Sequence, residues 1–121
     1  MNRTMDLGKR GEEMALSYLE GLGLRLRHRN WRCGHKEVDL IMESPGRVHI
    51  VEVKTLKAPV LIEPWEQVRA QKQKNLIAAA ASYLARYRLS VEIQFDIVSI
   101  ITDGEESRIE YIPNAFIPII Y

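Results

Sequence analysis

Two runs rich in Val, Ile and Leu, Lys36 to Glu43 and Arg47 to Leu56, stand on either side of Ser44-Pro45-Gly46, and no other feature restricts the fold as tightly. Strand-forming residues separated by turn-formers specify a β-hairpin. If Ser44 to Arg47 make a four-residue turn, Glu43 faces Val48 and every further pair is fixed. One face then receives Ile41 opposite Ile50, Asp39 opposite Glu52, and Glu37 opposite Lys54. The other receives Met42 opposite His49, Leu40 opposite Val51, and Val38 opposite Val53, which is largely core. A turn one residue shorter would carry Asp39 to the face away from Glu52.

Side chains directly opposed on neighbouring strands lie about 4.5 to 5.5 Å apart at Cβ, and like charges there are destabilising. Asp39 and Glu52 therefore need a compensating charge. Mg²⁺ or Mn²⁺ supplies one, because a hard divalent ion takes oxygen ligands, needs only one or two carboxylates, and fills its other positions with water and phosphate oxygens. Lys54 stands two residues from Glu52 on the same strand face, where an ammonium can orient a water and stabilise charge on a phosphate. The opposing interpretation is a solvated strand on which Lys54 merely neutralises Glu37 and Glu52. Val38, Leu40, Ile41, Ile50, Val51 and Val53 count against it, since they suit a central strand.

The rest of the chain supplies the partners of this hairpin. Met5 to Leu22 carries Met14, Ala15, Tyr18, Leu19 and Leu22 at helical spacing, with Gly23 able to close the helix. Leu24 to Trp31 alternates apolar and basic residues, as a half-exposed strand does. Trp65 to Arg88 is the longest helical pattern, and Ala78 to Ala81 permits close packing on a sheet. Val91 to Ile101 and Arg108 to Ile112 read as two further strands. The order predicts a single α/β domain over residues 1–121, with a mixed central sheet of about five strands flanked by helices. No stretch of roughly 18 apolar residues appears, so no membrane partner is expected. The lone Cys33 and the charged first ten residues suit a cytoplasmic protein.

A net charge of +1 conceals segregation. Residues 1–36 hold eight Lys or Arg against four acids, and 64–90 hold five against one, whereas 37–63 hold three against five and 91–121 one against six. A basic surface beside an acidic pocket is what binding both phosphates and a divalent cation demands.

Asp39 followed by Glu52-Val53-Lys54, in a hairpin preceded by a helix containing Glu12, resembles the PD-(D/E)xK nuclease superfamily, which includes Holliday-junction resolvases and restriction endonucleases. A more specific likeness is to the YraN family. It is carried by Gly8-Lys9-Arg10-Gly11-Glu12, Tyr18-Leu19, Arg29-Asn30-Trp31-Arg32, Glu37-Val38-Asp39-Leu40-Ile41, Val51-Glu52-Val53-Lys54, Lys72, Ala80, Tyr83-Leu84 and Phe95-Asp96, over about residues 8–100. The resemblance implies a restriction-endonuclease-like fold and a DNA hydrolase in which Asp39 and Glu52 bind the metal, Glu12 reaches it from the first helix, and Lys54 assists catalysis. It extends to branched DNA if the resolvase likeness reaches the substrate, and a homodimer is expected on the same analogy. The sequence departs from the family at Lys36, usually Gly, and at Leu56, usually Arg, which bears on phosphate contact more than on the metal.

Arg10, Arg29, Arg32 and Lys72 are the residues expected to contact nucleic acid, with Arg25, Arg27 and Lys74 as further candidates. Gln71 and Lys72 fall in the middle turns of the expected second helix. Asp96, in an apolar strand, is expected to be structural and to pair with a base such as Arg29. Trp31 is expected in the core, and Cys33 with His35 is too small a ligand set for zinc. No P-loop and no Ser-His-Asp sequence order is present, so neither NTP hydrolysis nor acyl transfer has support. The rival to a nuclease is a nucleic-acid-binding module that keeps the nuclease fold and cuts nothing; a third reading is a protein-interaction subunit.

Overall fold

The computed structural model describes residues 3–60 and 68–117, with side chains from Gly8 onward. The order is α1 (Arg3–Gly21), β1 (Arg25–Cys33), β2 (Lys36–Ser44), β3 (Arg47–Lys57), α2 (Ala70–Tyr87), β4 (Glu92–Thr102) and β5 (Ser107–Ile112). The five strands form one sheet in sequence order, antiparallel except for the parallel pair β3–β4. A parallel pair needs a crossover, and α2 lies in the connection that provides it. The result is the mixed sheet with flanking helices of a restriction-endonuclease-like fold.

Each helix covers one face. Ala15 and Leu19, one turn apart on α1, are fully buried and pack with Leu40, Met42, Val51, Val98 and Ile100. On α2, Leu76, Ala79, Ala80 and Tyr83 form the apolar stripe and pack with Ile41, Val48, Ile50, Phe95 and Ile97. The two alanines let the helix approach the sheet closely, and α2 ends where Arg88 turns left-handed at φ 53°.

The hairpin has the expected register: Ser44 pairs with Arg47, Glu43 with Val48, and so on to Leu40 with Val51. Pro45 and Gly46, the latter at φ 73°, close the reversal. Regular pairing stops at Leu40 and Val51, so the two strands part where Asp39 and Glu52 begin. Val38 consequently does not share a side with Leu40 as strict alternation requires. It packs with Trp31 and Ile41 in the cluster under α2, whereas Leu40 packs under α1. Asn30, at φ 48°, sits between the pairs Arg29–Leu40 and Trp31–Val38, opposite Asp39. Asn accepts this left-handed conformation more readily than most residues.

The sequence predicts the second helix from Trp65; Trp65 lies outside the described residues, and α2 begins at Ala70 because Arg69 is extended at ψ 157°. Lys72 therefore belongs to the first turn and not to the middle of the helix.

α1 is seated by Gly11, which is buried: a Cβ there would lie 2.5 Å from Thr55 Oγ1 on β3. Gly11→Leu is expected to cost about 2 kcal/mol, the usual scale of overpacking, and to lift the turn carrying Glu12 off the sheet. Gly21→Leu, with open space around it, serves as control; equal unfolding temperatures for the two variants would contradict the close seating.

Candidate active site at the β2–β3 fork

The parting of β2 and β3 releases the Val53 N–H from strand pairing, and Asp39 takes it: Asp39 Oδ2 accepts this hydrogen bond at 2.9 Å. Asp39 is thereby fixed by main chain and not by another mobile side chain. Glu52 follows on β3 and is 4% exposed. The Asp39 charge acts directly on its carboxyl. Both side chains line a cavity of about 550 Å³ together with Glu12, Gly8, Thr55 and Lys57. The expected convergence of the two carboxylates is what the structure has, although a splayed fork and not a regular cross-strand pair produces it.

Two ammonium groups approach Glu52. Lys54 Nζ lies 3.9 Å from Oε1, and Lys72 Nζ lies 3.6 Å from Oε2. Both exceed the roughly 2.7–2.9 Å of a charge-assisted hydrogen bond, and Glu52 Oε2 is buried with no hydrogen-bond partner. A buried oxygen without a donor is costly. The Glu52 carboxyl responds by holding its proton: desolvation first, then the Asp39 charge, push its pKa up to about 8, against the opposing pull of Lys72 and Lys54.

Glu12 reaches the same cavity from α1. Burial and the Asp39 charge raise its pKa, while a hydrogen bond from Asn30 and the charge of Arg29 act in the other direction. Among the described residues no three His, Cys, Asp or Glu side chains gather into a set able to hold an ion unaided. Asp39 and Glu52 come from the two strands of the fork, and Glu12 borders the same cavity from α1. Asn30 figures in the sequence only within the Arg29-Asn30-Trp31-Arg32 stretch of the resemblance, and its left-handed backbone beside Asp39 is a feature of the fold.

The cations divide into committed and available ones. Arg25 and Arg27 both bind Glu43, and Arg27 also donates to Tyr83 Oη at 2.7 Å, so Arg27 is held on two sides while Arg25 stays largely exposed. Arg32 faces Glu37 at 3.6 Å on the exposed part of β1 and β2. Arg29 borders Glu12, and Arg10 lines an adjoining cleft of about 480 Å³ with Lys57, Thr55 and Thr102, residues shared with the carboxylate cavity. Gln71 donates to Asn75 on the helix surface. Trp31 is in the core, edge-on to Tyr83.

Asp96 is buried but does not pair with Arg29. It bonds His49 Nδ1 at 2.9 Å and accepts from Tyr111 Oη, Gln94 and the Asn114 N–H. The correction is geometric: parallel pairing sets Asp96 beside Val51, so its side chain shares the α1-facing side with His49, one strand in. His49 Nε2 in turn meets Ser44 Oγ at 2.8 Å, a Ser-His-Asp connectivity invisible in the sequence order. With four partners converging on its acid, two of them from β5 and the segment after it, this network ties the C-terminal segment to the sheet.

A model of the uncharacterised protein family UPF0102 matches residues 11–100. A UPF0102 protein of Bacteroides thetaiotaomicron is 39% identical over 116 residues, which cover 96% of each chain. One from Phocaeicola vulgatus is 36% identical over the same share of each, and one from Myxococcus xanthus is 35% identical over 112 residues, 92% of this chain and 89% of its own. The matched span runs from the α1 turn of Glu12 through both strands of the fork and across β4. The chain belongs to the UPF0102, or YraN, family.

Proposed function

We propose that this protein is a Mg²⁺- or Mn²⁺-dependent nuclease that hydrolyses DNA phosphodiester bonds. The observation that carries the reading is Glu52 Oε2, buried without a donor beside Asp39 in an open cavity. Carboxylate oxygens are hard donors, and two of them with room for water suit Mg²⁺ or Mn²⁺ better than zinc. Asp39 and Glu52 would hold the ion. A bound ion supplies Lewis acidity at a phosphoryl oxygen and lowers the pKa of a water.

The remaining work falls to the chain's own groups. Val53 N–H orients Asp39, so the pair is organised before any ligand arrives. Lys54, beside Glu52, stabilises negative charge that builds on the phosphate oxygens. Glu12, steadied by Asn30, orients a water at the cavity wall. Arg29 and Arg10 offer cations at the rim, toward which a DNA backbone is drawn.

A panel of linear, nicked, flapped and four-way DNAs with Mg²⁺, Mn²⁺ or chelator tests the reading. Metal-dependent cleavage is expected, with branched forms preferred on the resolvase likeness. Salt-dependent binding without cleavage of any form would replace it with the non-cleaving module. Arg29→Ala is expected to weaken DNA binding at all sequences and reduce the salt slope by about one, measured by titrating binding against NaCl.

A further inference from the structure

The distribution of charge around Glu52 carries one step more, resting on the metal-dependent reading above. The single carboxyl of Glu52 already faces two ammonium groups. A dication bound there with both lysines in place would concentrate positive charge around one buried acid, which favours withdrawal of one lysine. We propose that Lys72 is an exchangeable counter-ion of the ionised Glu52 carboxylate: it stands at Oε2 until a metal ion takes that oxygen, and it then turns its ammonium to the DNA phosphate.

Two observations single out Lys72 over Lys54. First, Lys72 faces Oε2, the buried oxygen that accepts no hydrogen bond, whereas Lys54 faces Oε1. Second, Lys72 lies in the first turn of α2, where the helix dipole disfavours a cation, and that turn contains no acid and no side-chain cap. Its side chain is 38% exposed and its Nζ stands 3.6 Å from Oε2, beyond hydrogen-bond length, so the stem has room to swing. Among the described residues Glu52 is the ion-pair partner that holds it there. Once Glu52 is committed to a metal, a phosphate beside Lys72 and the uncapped N–H groups of that turn becomes the favoured neighbour.

The arrangement predicts opposite effects of one substitution on two ligands. Lys72→Met, which keeps the length of the stem, removes the competitor for Oε2. Mn²⁺ titration calorimetry on the full chain in the absence of DNA, at pH 8.5 so that Glu52 is largely ionised, should give about fivefold tighter binding than wild type, the scale of a partly screened charge pair. In the same measurements Asp39→Ala should give no heat of binding. For the second ligand, DNA affinity followed against salt should show a slope larger by about one when Ca²⁺ is added to wild type, and no such change in Lys72→Met. Unchanged or weaker Mn²⁺ binding by a folded Lys72→Met protein, with Asp39→Ala silent, overturns the exchange and leaves the metal site standing. A wild-type slope indifferent to Ca²⁺ overturns the transfer to phosphate. Absence of Mn²⁺ binding in wild type overturns the metal site and the exchange together.

Discussion

Lys54→Ala is expected to lower the rate of DNA cleavage by about 10²–10³-fold, the range seen when one preorganised donor to a developing charge is removed, while DNA affinity changes little. The asymmetry follows from position. Lys54 is on a central strand, its Nζ 3.9 Å from Glu52 Oε1, and not on the basic rim. Charge on the phosphate oxygens grows only as the bond breaks, so an ammonium held there acts chiefly on the transition state. Lys54→Arg would keep the charge but not its compact shape, and only partial recovery is expected. The readouts are single-turnover cleavage and equilibrium binding on the same substrate. Cleavage at the wild-type rate by the alanine variant would remove Lys54 from the chemistry; a parallel fall in both quantities would make it a binding residue.

The hairpin that brings Asp39 toward Glu52 was legible because its code is local. Alternation fixes the faces, Pro45-Gly46 fixes the turn, and together they set the register through Leu40 and Val51. The termination of that register was not legible. Strict alternation gives Val38 the side of Leu40, yet the strands part and Val38 joins Trp31. Where a sheet splays depends on what the neighbouring elements insert, here α1 seated by Gly11 and β1 turned left-handed at Asn30. These are contacts between residues far apart in sequence, and no periodicity records them. The same limit explains Asp96. Its burial could be inferred from the apolar strand around it, but its partner could not, because the parallel β3–β4 register that brings it near His49 is set by packing across the α2 crossover. Glu12 was reachable through the family likeness, whereas the left-handed backbone of Asn30 beside Asp39 had to await the structure.

Glu52→Gln is expected to stabilise the metal-free fold at alkaline pH while abolishing its response to metal. The Glu52 carboxyl titrates near 8 in the folded chain against an ordinary 4.5, so between those values the folded state holds a proton that the unfolded state has released. Stability from this group is therefore complete below about pH 4.5 and declines as pH rises through 8. The loss amounts to about 2–3 kcal/mol, after allowance for the screening that Lys54 and Lys72 provide. Glutamine is neutral throughout and lacks this slope, so the difference between the unfolding curves of variant and wild type should widen steadily from pH 5 to 8.5 in chelator. Taking the difference cancels groups remote from Glu52, which the two proteins share. Adding Mn²⁺ should then reverse the order at pH 8, because the ion stabilises only a chain that can offer it the Glu52 carboxylate. Parallel curves in chelator would mean that Glu52 is already ionised at neutral pH, its burial offset by the two lysines, and the cavity would then hold a ready anionic site and not a protonated one that a metal must open.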